Sequence, residues 1–125
     1  MSRFEVRLPH EPGQTELRAT VDRVHQLVGR ALTAYLAGVT TVGSLHVGVE
    51  KGDEAVIREA TPRLQFVLEL AGQFRARNAV VLFRAWLRDV DDRLGHSPAE
   101  LIRASVDTAV REQLRSHAAE YLTAR

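Results

Sequence analysis

The sequence contains no cysteine, and this absence excludes several kinds of chemistry at once. Without thiols the chain cannot form disulfides, use a thiolate nucleophile or bind zinc through cysteine. It also lacks any apolar run near the roughly 20 residues that span a bilayer. The first residues, "MSRFEVRLPHEPG", lack the apolar core of a secretory signal. We therefore expect a cytoplasmic protein that does not contact a membrane.

A strong excess of positive charge is also missing. The net charge of the 125 residues is +1 at pH 7, and Lys51 is the single lysine. Residues 1–62 carry seven Arg or Lys against eight Asp or Glu, and residues 63–125 carry ten Arg against eight acids. Strong nucleic-acid binders show a basic excess, because each neutralised phosphate releases counterions. Neither half of the chain has that excess.

Local catalytic motifs are absent as well. No serine, histidine and acid stand at a known catalytic spacing, and there is no phosphate-binding loop. The five histidines are scattered, with no pair at metal-ligand spacing. The acids Asp89, Asp91 and Asp92 lack the ligand pattern of a calcium loop, and they predict a solvated loop. We expect a protein that is not an enzyme and holds neither a cofactor nor a metal.

In the first part of the chain, the spacing of apolar residues changes from alternation to a helical period. Residues 3–8 alternate polar and apolar, which predicts an extended arm over residues 1–14 or a frayed terminus. Helical spacing follows, and Gly29 separates two helices or kinks one, while Gly38 ends the run. The apolar positions predicted to share one helical face are Leu17, Val21, Val24, Val28, Ala31 and Tyr35.

Residues 41–50, "TVGSLHVGVE", are ambiguous. Valine, glycine and threonine are poor helix formers, so the pattern alone allows a strand here. The following "EKGDE" is typical of a turn.

The rest of the chain carries clear helix signals. Thr61-Pro62 predicts a helix start, and Asn78 predicts a cap for another helix. In "DDRLGHSPAELIRA", Ser97 and Glu100 form the pattern of a capping box. Asp107 predicts the start of the last helix after a break near Ser105. Together these signals predict an all-α chain of about six helices.

Two stretches together resemble a known family. "GRALTAYLAGV", residues 29–39, resembles the start of the helix-turn-helix of Xre-type bacterial antitoxins. "AWLRDVDDRLGHSPAELI", residues 85–102, resembles the toxin-binding domain of the Xre/MbcA/ParS-like antitoxins, with His96 in place of a second glycine. The resemblance implies an N-terminal helix-turn-helix-like bundle over residues 15–61. It continues into a C-terminal helical partner-binding domain over residues 62–125.

The resemblance also implies a function. Such antitoxins dimerise, bind a RES-domain toxin that consumes NAD, and repress their own operon. This chain would accordingly form a homodimer, bind a RES-type toxin and contact operator DNA. The alternatives from the residues are a helix-turn-helix repressor and a helical adaptor of the same ancestry with neither activity.

The expected DNA contacts are weak. Thr41, Ser44 and His46 could reach bases, and Lys51 could reach a phosphate. Glycines stand at positions where the family has arginine and tryptophan, and residues 40–55 carry a net charge of −2, with one Lys against three acids. Operator binding is therefore expected to be weak or lost.

Candidate partner contacts lie in the C-terminal half. Arg84 and Arg88 share a helical face, which is either a solvated surface or a docking surface for an acidic partner or phosphates. Trp86 is either a core residue or an interface residue. The remaining candidates are His96 and, in the last helix, Tyr121 and Leu122.

Overall fold

Seven α-helices form the regular structure of residues 12–124, which are the residues that this computed structural model describes. In chain order they are α1 (Pro12–Val28), α2 (Arg30–Ala37), α3 (Val42–Lys51), α4 (Glu54–Ala76), α5 (Val80–Arg88), α6 (Pro98–Ala104) and α7 (Thr108–Thr123). The prediction of an all-α fold is confirmed, and there is one helix more than expected. The predicted arm falls largely on residues 1–11, which lie outside the described residues. Its last part belongs to α1, which begins at Pro12.

Helix α4 lies at the centre of the fold. It packs against α1, α2, α3, α5 and α7. The side chains that it buries are Ala60, Leu64, Phe66, Val67, Leu70, Ala71 and Phe74. At 1.5 Å per residue its 23 residues extend about 34 Å, so one helix runs through both halves of the molecule.

The prediction of a helix start at Thr61-Pro62 is wrong. Helix α4 begins earlier, where the Asp53 carboxylate accepts the N–H groups of Ala55 at 3.0 Å and Val56 at 3.3 Å. Pro62 lies inside the helix, and the hydroxyl of Thr61 is buried without a partner among the described residues. The junction at residues 61 and 62 is therefore an uninterrupted helix that joins the two halves.

Residues 41–50 are helical, so the strand that their pattern allowed does not form. Thr41 caps α3, because its hydroxyl accepts the Ser44 N–H at 3.0 Å. Gly38 ends α2 with a φ of 89°, a conformation that glycine adopts without strain. Helices α2 and α3 are bent by 67° at this break. The two helices thus follow one another across a short turn, in the order expected for a helix-turn-helix.

The single apolar face predicted from Leu17 to Tyr35 does not continue through the whole segment. Gly29 separates α1 from α2, and a second helix starts with a new orientation. Tyr35 is consequently exposed, and α2 buries Leu36 instead. The predicted Asn78 cap is also wrong, since Asn78 has a φ of 53° and α5 follows Ala79. The capping box of Ser97 and the start of α7 at Asp107 are confirmed.

Two arginines connect helices α2, α4 and α6. Arg63 of α4 donates to the carbonyl oxygens of Arg103 and Ala104, each at 3.1 Å. Arg103 in turn donates to the carbonyl oxygens of Tyr35 at 2.7 Å and Val39 at 3.1 Å. The last carbonyls of a helix lack intrahelical donors and carry partial negative charge. The two guanidinium groups bond carbonyl oxygens at or just beyond the C-terminal ends of α2 and α6, and thereby connect α2 to α6 and α6 to α4.

Gly48 is a poor helix former inside α3, and its presence there has a packing reason. A Cβ added to Gly48 would lie 2.8 Å from both Cγ atoms of Val56, closer than carbon atoms can pack. Glycine at this position therefore lets α3 approach α4. Gly43 has no such role, because its added Cβ would meet nothing nearer than the Thr41 hydroxyl at 3.8 Å.

The two glycines should respond to alanine in opposite directions. We expect Gly48→Ala to lower the free energy of unfolding by about 1–3 kcal/mol, because α3 must move away from α4. Gly43→Ala should raise it by about 0.5 kcal/mol, since alanine loses less backbone entropy and there is room for its methyl group. Urea unfolding followed by circular dichroism measures both. A stabilised Gly48→Ala variant would contradict the close packing of α3 on α4.

Candidate partner-binding and DNA-binding surfaces

The four candidate DNA-binding residues lie together on α3 and its cap. Thr41, Ser44, His46 and Lys51 are all exposed. The hydroxyls of Thr41 and Ser44 lie 2.9 Å apart and bond each other as part of the cap, which leaves less of their hydrogen-bonding capacity for bases. The helix therefore presents the imidazole of His46 near its middle and the ammonium group of Lys51 at its C-terminal end.

The outer face of α3 is nearly neutral. Lys51 is its single cation, and Glu50 beside it forms an ion pair with Arg18 of α1 at 3.2 Å. Val47, 47% exposed, lies in the middle of this face. A recognition helix depends on nearby cations that hold phosphates in register. The arrangement of α2 and α3 thus has the layout of a helix-turn-helix without the charge of a DNA-binding one.

Two of the candidate partner-binding residues belong to the core. Trp86 is 1% exposed and Leu122 is 5% exposed, so neither can be touched by a partner without opening the fold. The Trp86 ring packs against Phe74 and Phe83, with centroids 5.3 and 6.1 Å away. Of the two interpretations of Trp86, the structure supports core packing.

A buried polar chain, which the sequence pattern did not reveal, starts at Trp86. The indole N–H donates to Nδ1 of His117 at 3.0 Å, and Nε2 of His117 lies 2.9 Å from the carboxylate of Asp91. Since Nδ1 accepts, the proton of the neutral imidazole is on Nε2 and faces Asp91. The hydrogen bond from His117, followed by the backbone N–H of Arg93, lowers the pKa of Asp91.

This chain of residues joins three elements. Trp86 lies on α5, Asp91 in the loop before α6, and His117 on α7. Nδ1 of His117 accepts the indole N–H, and Nε2 is buried 2.9 Å from the Asp91 carboxylate, so both ring nitrogens face groups of the protein. We interpret the chain as a structural connection that fixes the loop and α7 to the aromatic core.

Replacement of His117 tests how much this connection stabilises the fold. We expect His117→Phe to lower the free energy of unfolding by about 1–3 kcal/mol, because the buried indole N–H loses its acceptor. The matched control is His96→Phe, in the exposed loop, which should change stability by less than about 0.5 kcal/mol. Urea unfolding followed by Trp86 fluorescence measures both variants. Equal stability of the two variants would show that the indole N–H does not need His117.

Arg84 and Arg88 form the charged side of an exposed groove between α2 and α5. The other lining residues are Ala31, Leu32 and Tyr35. Tyr35 is 37% exposed and its ring lies under the guanidinium of Arg103, with 4.7 Å to the ring centroid. No carboxylate of residues 12–124 forms an ion pair with Arg84 or Arg88. We call this surface the basic groove, and it combines two unpaired cations with an accessible aromatic ring.

The last two candidates lie elsewhere. Tyr121 is half-buried, packs against Phe74 at 6.0 Å between centroids, and lines a shallow depression with Arg93 and Glu120. His96 is exposed, and its Nδ1 lies 4.0 Å from the carboxylate of Glu100. The structure therefore brings Arg84 and Arg88 together but does not place Tyr121 or His96 in the same groove.

Comparison with known proteins adds no relative. No family model, curated protein or solved structure matches this chain. Within residues 12–124, no group of three or more His, Asp or Glu side chains is arranged to hold a metal ion. Over the same residues no single helix is long and apolar enough to cross a membrane, although the bent pair of α2 and α3 together passes that test of length and composition.

Proposed function

We propose that this chain is an antitoxin-like, non-enzymatic protein that binds and neutralises a RES-type toxin through its C-terminal helices. The observation that carries the proposal is the basic groove, in which Arg84 and Arg88 are exposed and unpaired by described carboxylates. The class of partner comes from the resemblance of residues 85–102. The resemblance also leads us to propose a homodimer in the cytoplasm.

The burial pattern of the resembling segment restricts where a partner can bind. Its most distinctive residues, Trp86 and Ser97, are buried, and they hold the fold. A partner would contact exposed residues of this segment and of its neighbours instead. Arg88 within the segment and Arg84 just before it are exposed on α5, whereas Leu122 is buried.

The chemistry of the basic groove favours an acidic partner surface. Arginine is enriched at protein interfaces, because its guanidinium forms bidentate hydrogen bonds with carboxylates and stacks on aromatic rings. The exposed Tyr35, which lines the same groove as the two arginines, adds apolar area that becomes buried on binding. We expect a toxin whose contact surface carries Asp or Glu side chains, and association that weakens as salt increases.

Charge reversal in the groove tests the proposal. The full chain is co-expressed with a RES-type toxin encoded beside it, and co-purification, affinity and relief of growth arrest are measured. The double variant Arg84→Glu/Arg88→Glu should lose about 2 kcal/mol of binding free energy, roughly a thirtyfold weaker Kd, and should no longer relieve arrest.

The matched control reverses two exposed arginines outside the groove. Arg23→Glu/Arg58→Glu changes the net charge equally and should retain binding. Equal loss in both double variants would indicate only a general charge effect. No complex with the unmodified chain would remove the antitoxin proposal and leave the helical adaptor.

A second candidate function is a helix-turn-helix repressor. The observation that favours it is the order of α2, a short turn and a Thr41-capped α3 with exposed Ser44 and His46. Against it stands the nearly neutral outer face, with Lys51 as its single cation.

A mobility-shift assay on the DNA upstream of the gene tests this second candidate. At low salt we expect weak binding or none, because few phosphates can be neutralised through α3. Lys51→Gln should then change little. Tight binding that falls steeply with salt and is lost in Lys51→Gln would establish the repressor.

A further inference from the structure

An exposed acidic loop follows the arginines of the basic groove directly in the chain. Helix α5 ends at Arg88, and Asp89 and Asp92 in the loop after it are both exposed. Neither of these carboxylates is bonded to another group of residues 12–124. Val90, which stands between them, is 68% exposed. We call residues 89–92 the acidic loop, and it combines two unpaired acids with an accessible apolar side chain.

The acidic loop is fixed to the rest of its own chain by its third acid, Asp91. The carboxylate of Asp91 accepts the backbone N–H of Arg93 at 2.7 Å and lies 2.9 Å from Nε2 of His117. The carbonyl oxygen of Asp91 accepts the N–H of Gly95 at 2.8 Å. Because these bonds already order the loop, it loses little conformational entropy when a partner binds its other two acids.

The acidic loop and the basic groove are complementary in charge and in apolar surface. The groove offers the guanidinium groups of Arg84 and Arg88 beside the ring of Tyr35, and the loop offers two carboxylates beside a valine. Within one chain the two sets of charges are not paired with each other. Two copies can pair them, because in a twofold dimer each surface of one copy meets the complementary surface of the other, and every contact occurs twice.

We propose that two copies of this chain form a twofold dimer in which the acidic loop of each copy lies in the basic groove of the other. Asp89 of one copy pairs with Arg88 of the second copy. Asp92 pairs with Arg84 in the same way, and Val90 packs on the apolar lining of the groove. The twofold axis passes near the end of α5, because the arginines precede that end in the chain and the acids follow it.

This dimer would regulate the basic groove. The arginines that pair with the second copy are those of the proposed toxin contact, so a second copy and a toxin compete for each groove. The second copy therefore covers the groove until a toxin displaces it. This consequence rests on the proposed function, whereas the dimer interface does not.

Sedimentation equilibrium of the full chain tests the interface without any toxin. The unmodified chain should dimerise at low salt and dissociate as salt increases, because salt screens exposed ion pairs. Arg84→Glu/Arg88→Glu and Asp89→Lys/Asp92→Lys should each raise the Kd of the dimer at least about thirtyfold, because like charges then face each other in both halves of the interface. Circular dichroism checks that both double variants remain folded.

A mixture of the two double variants gives the sharpest test. In the mixed dimer the new glutamates face the new lysines, and the remaining arginines face the remaining aspartates, so every contact again joins opposite charges. The Kd of the mixed dimer should return to within about fivefold of the unmodified value. The matched control, Glu16→Lys/Asp22→Lys, reverses two exposed acids of α1 and should leave the dimer unchanged.

A monomeric unmodified chain, or a mixture that stays monomeric, would overturn the proposal. A dimer that both double variants leave intact would use another surface, and equal weakening in the control would indicate only a general charge effect, so either result would also overturn it. Asp89→Lys/Asp92→Lys should still bind a co-expressed RES-type toxin. If the mixture dimerises but no form of the chain binds the toxin, the interface stands and the proposed function fails. If Arg84→Glu/Arg88→Glu loses the toxin but keeps the dimer, only the interface fails.

Discussion

The burial of α4 is the physical constraint on which the rest of the structure depends. Five of the other helices pack directly on it, and its side chains supply the middle of the core. A proline inside a helix ordinarily costs about 3 kcal/mol or more. Helix α4 continues through Pro62, and Ala60 and Leu64 on either side of it are fully buried. Packing on both sides of Pro62 thus outweighs its local preference for a helix start.

The parts of the fold that could be predicted from the sequence are those that local chemistry decides. Gly38, Ser97 and Asp107 end or cap helices through contacts within a few residues, and the structure has each of these boundaries as expected. The segment at residues 41–50 could not be predicted in this way. Its glycine at position 48 has a poor helix propensity, but Val56 of α4 leaves no room for a larger residue. The packing of α3 on α4 therefore accounts for a glycine in this helix, which helix propensity alone would not predict.

The candidate sites also differ in whether local spacing or tertiary packing brings their residues together. The spacing of Arg84 and Arg88 places them on one helical face, and that face is exposed. Nothing in the spacing could reveal that His117 contacts both Trp86 and Asp91, because these residues are brought together only when α7 packs on α4 and α6. The aromatic and acidic residues of the resembling segment consequently have a structural role that the motif by itself does not express. Packing of the helices likewise determines that Nε2 of His25 is buried without a hydrogen-bond partner among the described residues.

The two exposed surfaces differ in charge, and this difference separates their possible ligands. Arginine stays protonated at any physiological pH, so the basic groove remains positive under all conditions in which the protein folds. The outer face of α3 has the position of a recognition helix, but Arg18 holds the carboxylate of Glu50 beside Lys51. Two arginines without a carboxylate partner among the described residues therefore lie on α5, whereas on α3 the single lysine lies beside a carboxylate that is already paired. Because function depends on the site and not on the fold, the order of α2 and α3 does not by itself assign DNA binding to this chain.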